Sequence, residues 1–253
     1  MSSSKPLTDA ERARYEWQLC VQGFGAEQQE VLKGSSVLVT RVGGVGGAVA
    51  YQLAAAGIGR LVLAHAGNLE TTDLNRQLLM SEAGLGRARV QQAARRLREF
   101  NPHVDVVPIE ENVGAANVER LVNQVDLVAS CAPRFAERLL LNQAAIVQNK
   151  PLVDCAMFEL EVQLTTVVPG KSPCLACLYP AEPPAWNRQF PVFGAVAGTI
   201  GCMGAMEIIK VLTGLGEPLT GKMLIGDLRD MTFRKVHVQR NPHCPVCAAR
   251  GLA

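Results

Sequence analysis

Residues 36–57 read SVLVTRVGGVGGAVAYQLAAAG, and this stretch decides the fold. A short apolar run, SVLVT, passes at once into Gly43, Gly44, Gly46 and Gly47, and then into an Ala-rich helical stretch ending at Gly57. Strand, glycine turn and helix in that order form the opening unit of a doubly wound α/β sheet. Glycines there let the backbone approach a phosphate, whose charge suits a helix N-terminus. They also permit close packing of strand on helix, so the loop alone leaves both roles open.

The same rhythm continues outward. LVLA (61–64), 104–109 and 126–130 read as strands; 88–100 reads as a helix with a basic face, and VERLVNQ as a helix between the last two strands. Residues 135–147 predict another helix, and KPLVDCA begins a further strand after its proline. Upstream, Thr8 and Glu11 have the spacing of a capping box. Short apolar strands alternating with helices imply a parallel sheet. After Ala156 the pattern changes. Residues 159–169 alternate as an antiparallel strand does, 180–191 form a Pro- and Ala-rich loop, and 194–214 predict a small-residue helix stopped by Gly214. MLIGDL and TFRKVHV read as a last strand pair. The expected fold is α/β: a doubly wound, mostly parallel, Rossmann-like sheet with an antiparallel, zinc-stapled C-terminal extension. One domain spans 1–253, with an N-terminal helical segment at 8–33, a nucleotide-binding core at 35–156 and a C-terminal lobe at 157–253.

The 253 residues are 48% hydrophobic with a net charge of +2, which gives no electrostatic case for nucleic acid or a membrane surface. The N-terminus has no apolar leader or twin arginine, and no apolar stretch reads as long and uninterrupted enough to span a bilayer. A cytoplasmic protein is expected, whose 8 cysteines are thiols or metal ligands. Cys174 with Cys177 and Cys244 with Cys247 form two CxxC pairs, each in a loop beside a proline. Two such knuckles complete a tetrahedral S4 zinc site with no open position, whereas a redox motif needs one pair. Cys20, Cys131, Cys155 and Cys202 are expected as buried small hydrophobes. A dinucleotide dehydrogenase needs an acid at the end of the second strand; LVLA runs instead into His65, Ala66 and Gly67.

ERARYEWQLCVQGFG, VGGVGG, DLNRQLLM, GRARV, the NP at 101–102 and the two CxxC pairs together resemble the MoeB/ThiF group, relatives of the adenylation domain of ubiquitin-activating enzymes. PCLACLYPAEPP, WNRQFPVFGAVAGT and the Asp73 form of the NRQ segment look most like HesA, the branch encoded with nitrogen-fixation genes. The resemblance implies adenylyl transfer. ATP would lie over the glycine loop with magnesium, and the C-terminal carboxylate of a ubiquitin-like sulfur carrier would attack its α-phosphate. It implies catalytic roles for Asp73, Arg76 and Arg89, and a nucleotide site of Arg41, Gly43, Gly44, Gly46, His65, Gln77 and Arg134.

Several family positions are substituted. His65 stands for the ribose-binding Asp, Asp73 for an Asn, Arg89 for the phosphate-binding Lys and Pro133 for the magnesium-side Asp. Trp17 stands for an Arg given across the family dimer to ATP, which implies a homodimer, although Trp17 also suits a core aromatic on an amphipathic helix. AWNRQFPVFG lacks the reactive cysteine of ThiF-type enzymes. Two readings follow. One is an adenylyltransferase acting on a sulfur-carrier C-terminus or a small oxyanion such as molybdate, supplying nitrogenase cofactor assembly. The other is a degenerate relative that serves as a binding or partner subunit. A dehydrogenase is a distant third. The cavity should be basic, with ATP affinity poorer, and less dependent on magnesium, than in a family member that keeps all its motif residues.

Overall fold

The computed structural model describes residues 4–181 and 191–248. Eight strands make one sheet: β1 (Ser36–Thr40), β2 (Arg60–Ala64), β3 (Asp105–Ile109), β4 (Leu127–Ser130), β5 (Leu152–Phe158), β6 (Glu161–Val167), β7 (Lys222–Asp227) and β8 (Thr232–His237). The helices are α1 (Asp9–Arg14), α2 (Glu16–Leu19), α3 (Ala26–Gly34), α4 (Gly44–Ala56), α5 (Arg89–Phe100), α6 (Val118–Asn123), α7 (Phe135–Val147), α8 (Leu175–Leu178) and α9 (Gly194–Thr213). Strand order is β3-β2-β1-β4-β5-β6-β7-β8. The first five strands pair in parallel and the last three add antiparallel. The expected mixed α/β sheet is therefore present, with the change of direction at β6.

Side chains of a strand alternate between its faces, and both faces of this sheet are covered. Val37, Val39, Leu61 and Leu63 pack with α4, α5 and α9. Leu38, Val62 and Val128 pack with α6, α7 and the cysteine-bearing segments. Burying both faces explains why β1, β2 and β4 read as continuous apolar runs rather than alternating ones. The sheet's two borders differ in chemistry. β3 carries Pro108, whose nitrogen has no hydrogen to donate, and every residue of β8 is exposed, including Arg234, Lys235 and His237.

Local signals set the helix ends. Thr8 and Glu11 form the capping box, and Lys33 adds an ion pair to Glu11 at 2.7 Å. Burial raises the Glu11 pKa, but hydrogen bonds from Lys33 and Thr8 outweigh it and hold the carboxyl down to about 2. Gly57 and Gly214 end their helices in the left-handed conformation, which costs a residue without a Cβ little. One expectation fails here. α9 is long and apolar enough to cross a membrane by length and composition. It packs instead against α4, where Gly201 meets Ala48 and the backbone of Val45 and Val49, so its small residues serve helix–helix contact.

Candidate active site

In doubly wound sheets, ligands bind beyond the carboxyl ends of the strands, where the chain's crossover direction reverses. Here that place lies between β1 and β4, each the other's neighbour, with β2 and β3 on one side and β5 on the other. The glycine loop leaves β1 there. Arg41 takes a left-handed φ of 56°, uncommon for a residue with a Cβ, and Gly43 N–H donates to the Arg41 carbonyl at 2.6 Å. Gly46 is needed for contact: a Cβ there would lie 2.5 Å from the Arg41 carbonyl oxygen and 2.8 Å from that of Thr40.

A cavity of about 540 Å³ opens over this loop, walled by Arg41, Gly43, Gly44, His65, Asp73, Arg76, Gln77, Arg89 and Pro133. Gly46 and Arg134 lie off its wall. Gly46 packs beneath the loop, and Arg134 is exposed as the N-cap of α7. The cavity extends past β5 and β6, where Phe135, Cys155, Met157, Phe158 and Val192 give it an apolar half.

Each guanidinium on the wall has an acidic partner. Arg41 Nη2 lies 2.7 Å from Glu137 Oε2. Arg76 and Arg89 share Asp73, at 3.2 and 2.7 Å. Arg138 Nη2 lies 2.5 Å from Asp154 Oδ2, between the rings of Phe135 and Tyr179. Burial opposes the Arg138 charge, but Asp154 outweighs it and raises the pKa still further. The cavity is thus rich in cations, but they are compensated, which corrects the expectation of a simply basic pocket.

His65 is buried at the end of β2, and the Nδ1 of His65 and the Oε1 of Gln77 have no hydrogen-bond partner among the described residues. Burial lowers the His65 pKa to about 4, helped by Arg41 and Arg89 and opposed by Asp73, so the imidazole is neutral at pH 7. Two buried polar atoms left without a partner on one cavity wall are unusual in a finished core.

Behind α7, the four sulfurs of Cys174, Cys177, Cys244 and Cys247 lie within 4.8 Å of one another. Cys174 Sγ is 3.7 Å from Cys244 Sγ, and Cys177 Sγ is 3.5 Å from Cys247 Sγ. A tetrahedron of thiolates at Zn–S of about 2.3 Å has edges of about 3.8 Å, so the cluster fits a metal such as zinc. Burial opposes the Cys244 thiolate, but backbone donors of Cys247 and Val246 outweigh it and lower the pKa to about 7. The first pair is not in a plain loop: Cys174 is the N-cap of α8. Cys131 and Cys155 are buried as expected, whereas Cys20 and Cys202 are exposed. Trp17 is 89% exposed, which removes the core-aromatic reading. Most of AWNRQFPVFG (185–194) lies outside the described residues. Sequence reasoning missed Glu137, Arg138 and Asp154; an acid inside the apolar strand LVDCAMF was the available signal.

Glycine loop, switch-point cavity and four-cysteine cluster together define an adenylyltransferase-like fold. The chain belongs to the ThiF family, whose pattern matches residues 15–246. It is 46% identical over 246 residues to the vegetative protein HesA of Trichormus variabilis, covering 97% of this chain and 92% of that protein. It is 38% identical to the adenylyltransferase and sulfurtransferase MOCS3 of Drosophila ananassae, covering 97% of this chain and 56% of that longer protein. Among solved structures it is similar to E. coli MccB with MccA-N7isoASN (TM-score 0.82, 25% identity, 92% of this chain and 74% of that one). It is similar likewise to E. coli MccB with ATP (TM-score 0.80, 25% identity, the same coverage).

Proposed function

We propose that this chain is an ATP-dependent adenylyltransferase. It would activate the C-terminal carboxylate of a ubiquitin-like sulfur carrier, or a small oxyanion such as molybdate, in sulfur and molybdenum cofactor supply for nitrogen fixation. The carrying observation is the switch-point cavity, which Arg76 and Arg89 line together with Gly43 and Gly44. The triphosphate would lie over Gly43 and Gly44 at the N-terminus of α4, where backbone N–H groups and the helix dipole favour anions. Arg76 and Arg89 would turn from Asp73 toward the phosphates and offset the charge that develops as the acceptor oxygen bonds to the α-phosphorus and pyrophosphate departs. His65 Nδ1 and Gln77 Oε1 would take the nucleoside's polar groups, and Arg41 a phosphate oxygen. Residues 35–156 would supply this cavity. Residues 157–253 would form a lobe of the same domain, held by zinc on the four cysteines.

The wall does not fit a magnesium site. Asp73 is engaged by two arginines, Pro133 offers no side-chain oxygen where the family has an acid, and the other carboxylate on the wall, Glu161, stands at the β5–β6 hairpin rather than on the glycine loop or the loops after β2 and β4. No step is therefore assigned to magnesium. The same features favour a second reading, a binding or partner subunit that keeps fold, zinc and cavity without turnover. The exposed Trp17 supports the homodimer in either case, since a bare indole on a surface helix suits an interface. Isothermal titration with ATP, with and without magnesium, followed by pyrophosphate exchange with carrier or molybdate, separates the readings. ATP binding without exchange supports the partner subunit; absence of both ends the nucleotide proposal.

A further inference from the structure

Two thiols stand side by side on the cavity wall and have no part in adenylyl transfer. β4 and β5 run parallel, and their register ends with Ser130 opposite Asp154. Cys131 and Cys155 are the next residues on each strand. Neighbouring strands lie about 4.8 Å apart, inside the roughly 4.4–6.8 Å between Cα atoms that a disulfide spans. Both cysteines belong to the apolar cluster under α4 and α9, so their side chains share a face of the sheet. The neighbouring Cys131 thiol, together with burial, raises the Cys155 thiol well above its usual range. Both are free, and both line the cavity. Gly204 of α9 leaves space for the Cys155 sulfur, with which a methyl group at that position would collide.

We infer that Cys131 and Cys155 form a reversible dithiol–disulfide site in the cavity wall, whose co-reactant is a small disulfide entering through the cavity. Cys131, the less deeply buried of the two at 6% against 2%, attacks first as thiolate. One sulfur of the co-reactant bonds to Cys131 and the other leaves as a thiol, taking up the proton that Cys131 gave up. The Cys155 thiol, held beside the mixed disulfide, loses its proton and displaces the second thiol, which takes that proton in turn. Overall, two protein thiols are oxidised to one cystine and one disulfide is reduced to two thiols. Proximity compensates for the poor nucleophilicity of a buried thiol. The bond ties β4 to β5 under the cavity. This inference does not rest on ATP being the ligand.

The test uses the zinc-loaded full chain carrying Cys20→Ser and Cys202→Ser, which removes the exposed thiols. The protein is equilibrated in glutathione buffers from fully reduced to fully oxidised, and free thiols are counted and linked peptides mapped. The expected result is loss of two thiols, a peptide joining Cys131 to Cys155, and complete recovery with dithiothreitol. Adding Cys155→Ala should instead leave a single glutathione adduct on Cys131; should that variant not fold, thiol counting and mapping in the parent decide alone. The inference is overturned if both thiols stay free in oxidised glutathione while circular dichroism remains native. It is also overturned if either cysteine links only to another partner.

Discussion

One oxygen of Asp73 holds Arg89 at two points: Oδ2 lies 2.8 Å from Nε and 2.7 Å from Nη2. The other oxygen receives Arg76 at 3.2 Å. The carboxylate thus keeps two guanidiniums away from whatever enters the cavity, and an incoming anion must compete with it.

Asp73→Asn should therefore release both arginines. Binding of inorganic phosphate or ATP is expected to tighten, while the fold loses about 1–3 kcal/mol as a part-buried charge contact is removed. Calorimetric titration and urea denaturation measure the two effects. Loss of a magnesium dependence on this substitution would show instead that Asp73 is a metal ligand.

His65 makes stability depend on pH. Its folded pKa of about 4 lies below the ordinary 6.5, so between those values the unfolded chain binds the extra proton. Stability is full above about pH 6.5 and falls as pH drops toward 4, by a loss on the order of 3 kcal/mol. Denaturation curves across that window should be flatter for His65→Gln. An unchanged slope in the variant would remove His65 as the cause.

Two glycines offer a matched pair of substitutions. Gly46→Ala places a Cβ against the carbonyls of Thr40 and Arg41, so the loop must shift; ATP binding should fall at least tenfold. Gly198→Ala, on α9 with open space at its Cβ, should be neutral or stabilise by up to about 1 kcal/mol. Equal effects at the two sites would mean that the close approach under the loop does not matter.

Elemental analysis should find one zinc per chain. Cys244→Ser should lower that content and loosen α9, β7 and β8 more than β1, β2 and β4, because the four sulfurs close a loop on the C-terminal side. Hydrogen exchange reads the difference. Unchanged metal content in the variant would rule out this ligand set.

Features encoded at short range were legible. Thr8 with Glu11, Gly57 and Gly214 each announce a helix end through a neighbour a few residues away. Two CxxC pairs were legible because each knuckle is local and the S4 geometry allows few alternatives. The compensation of the cavity's charge was not. Arg41 meets Glu137 across 96 positions of chain, an apposition fixed only when α7 docks on the sheet. Exposure of Cys20 and Cys202 escaped for a related reason, since residue type alone does not say which side of a helix faces water.

The two borders of the sheet bear on how the molecule keeps to itself. An eight-stranded ribbon open at both ends offers backbone groups that could recruit further chains and grow into fibrils. At one end Pro108 interrupts the row of donors. At the other, Arg234 and Lys235 would have to be brought against charges like themselves. Colloidal stability is in this way written into the two border strands, and exchanging those two cations for apolar residues would turn β8 into a template for polymerisation.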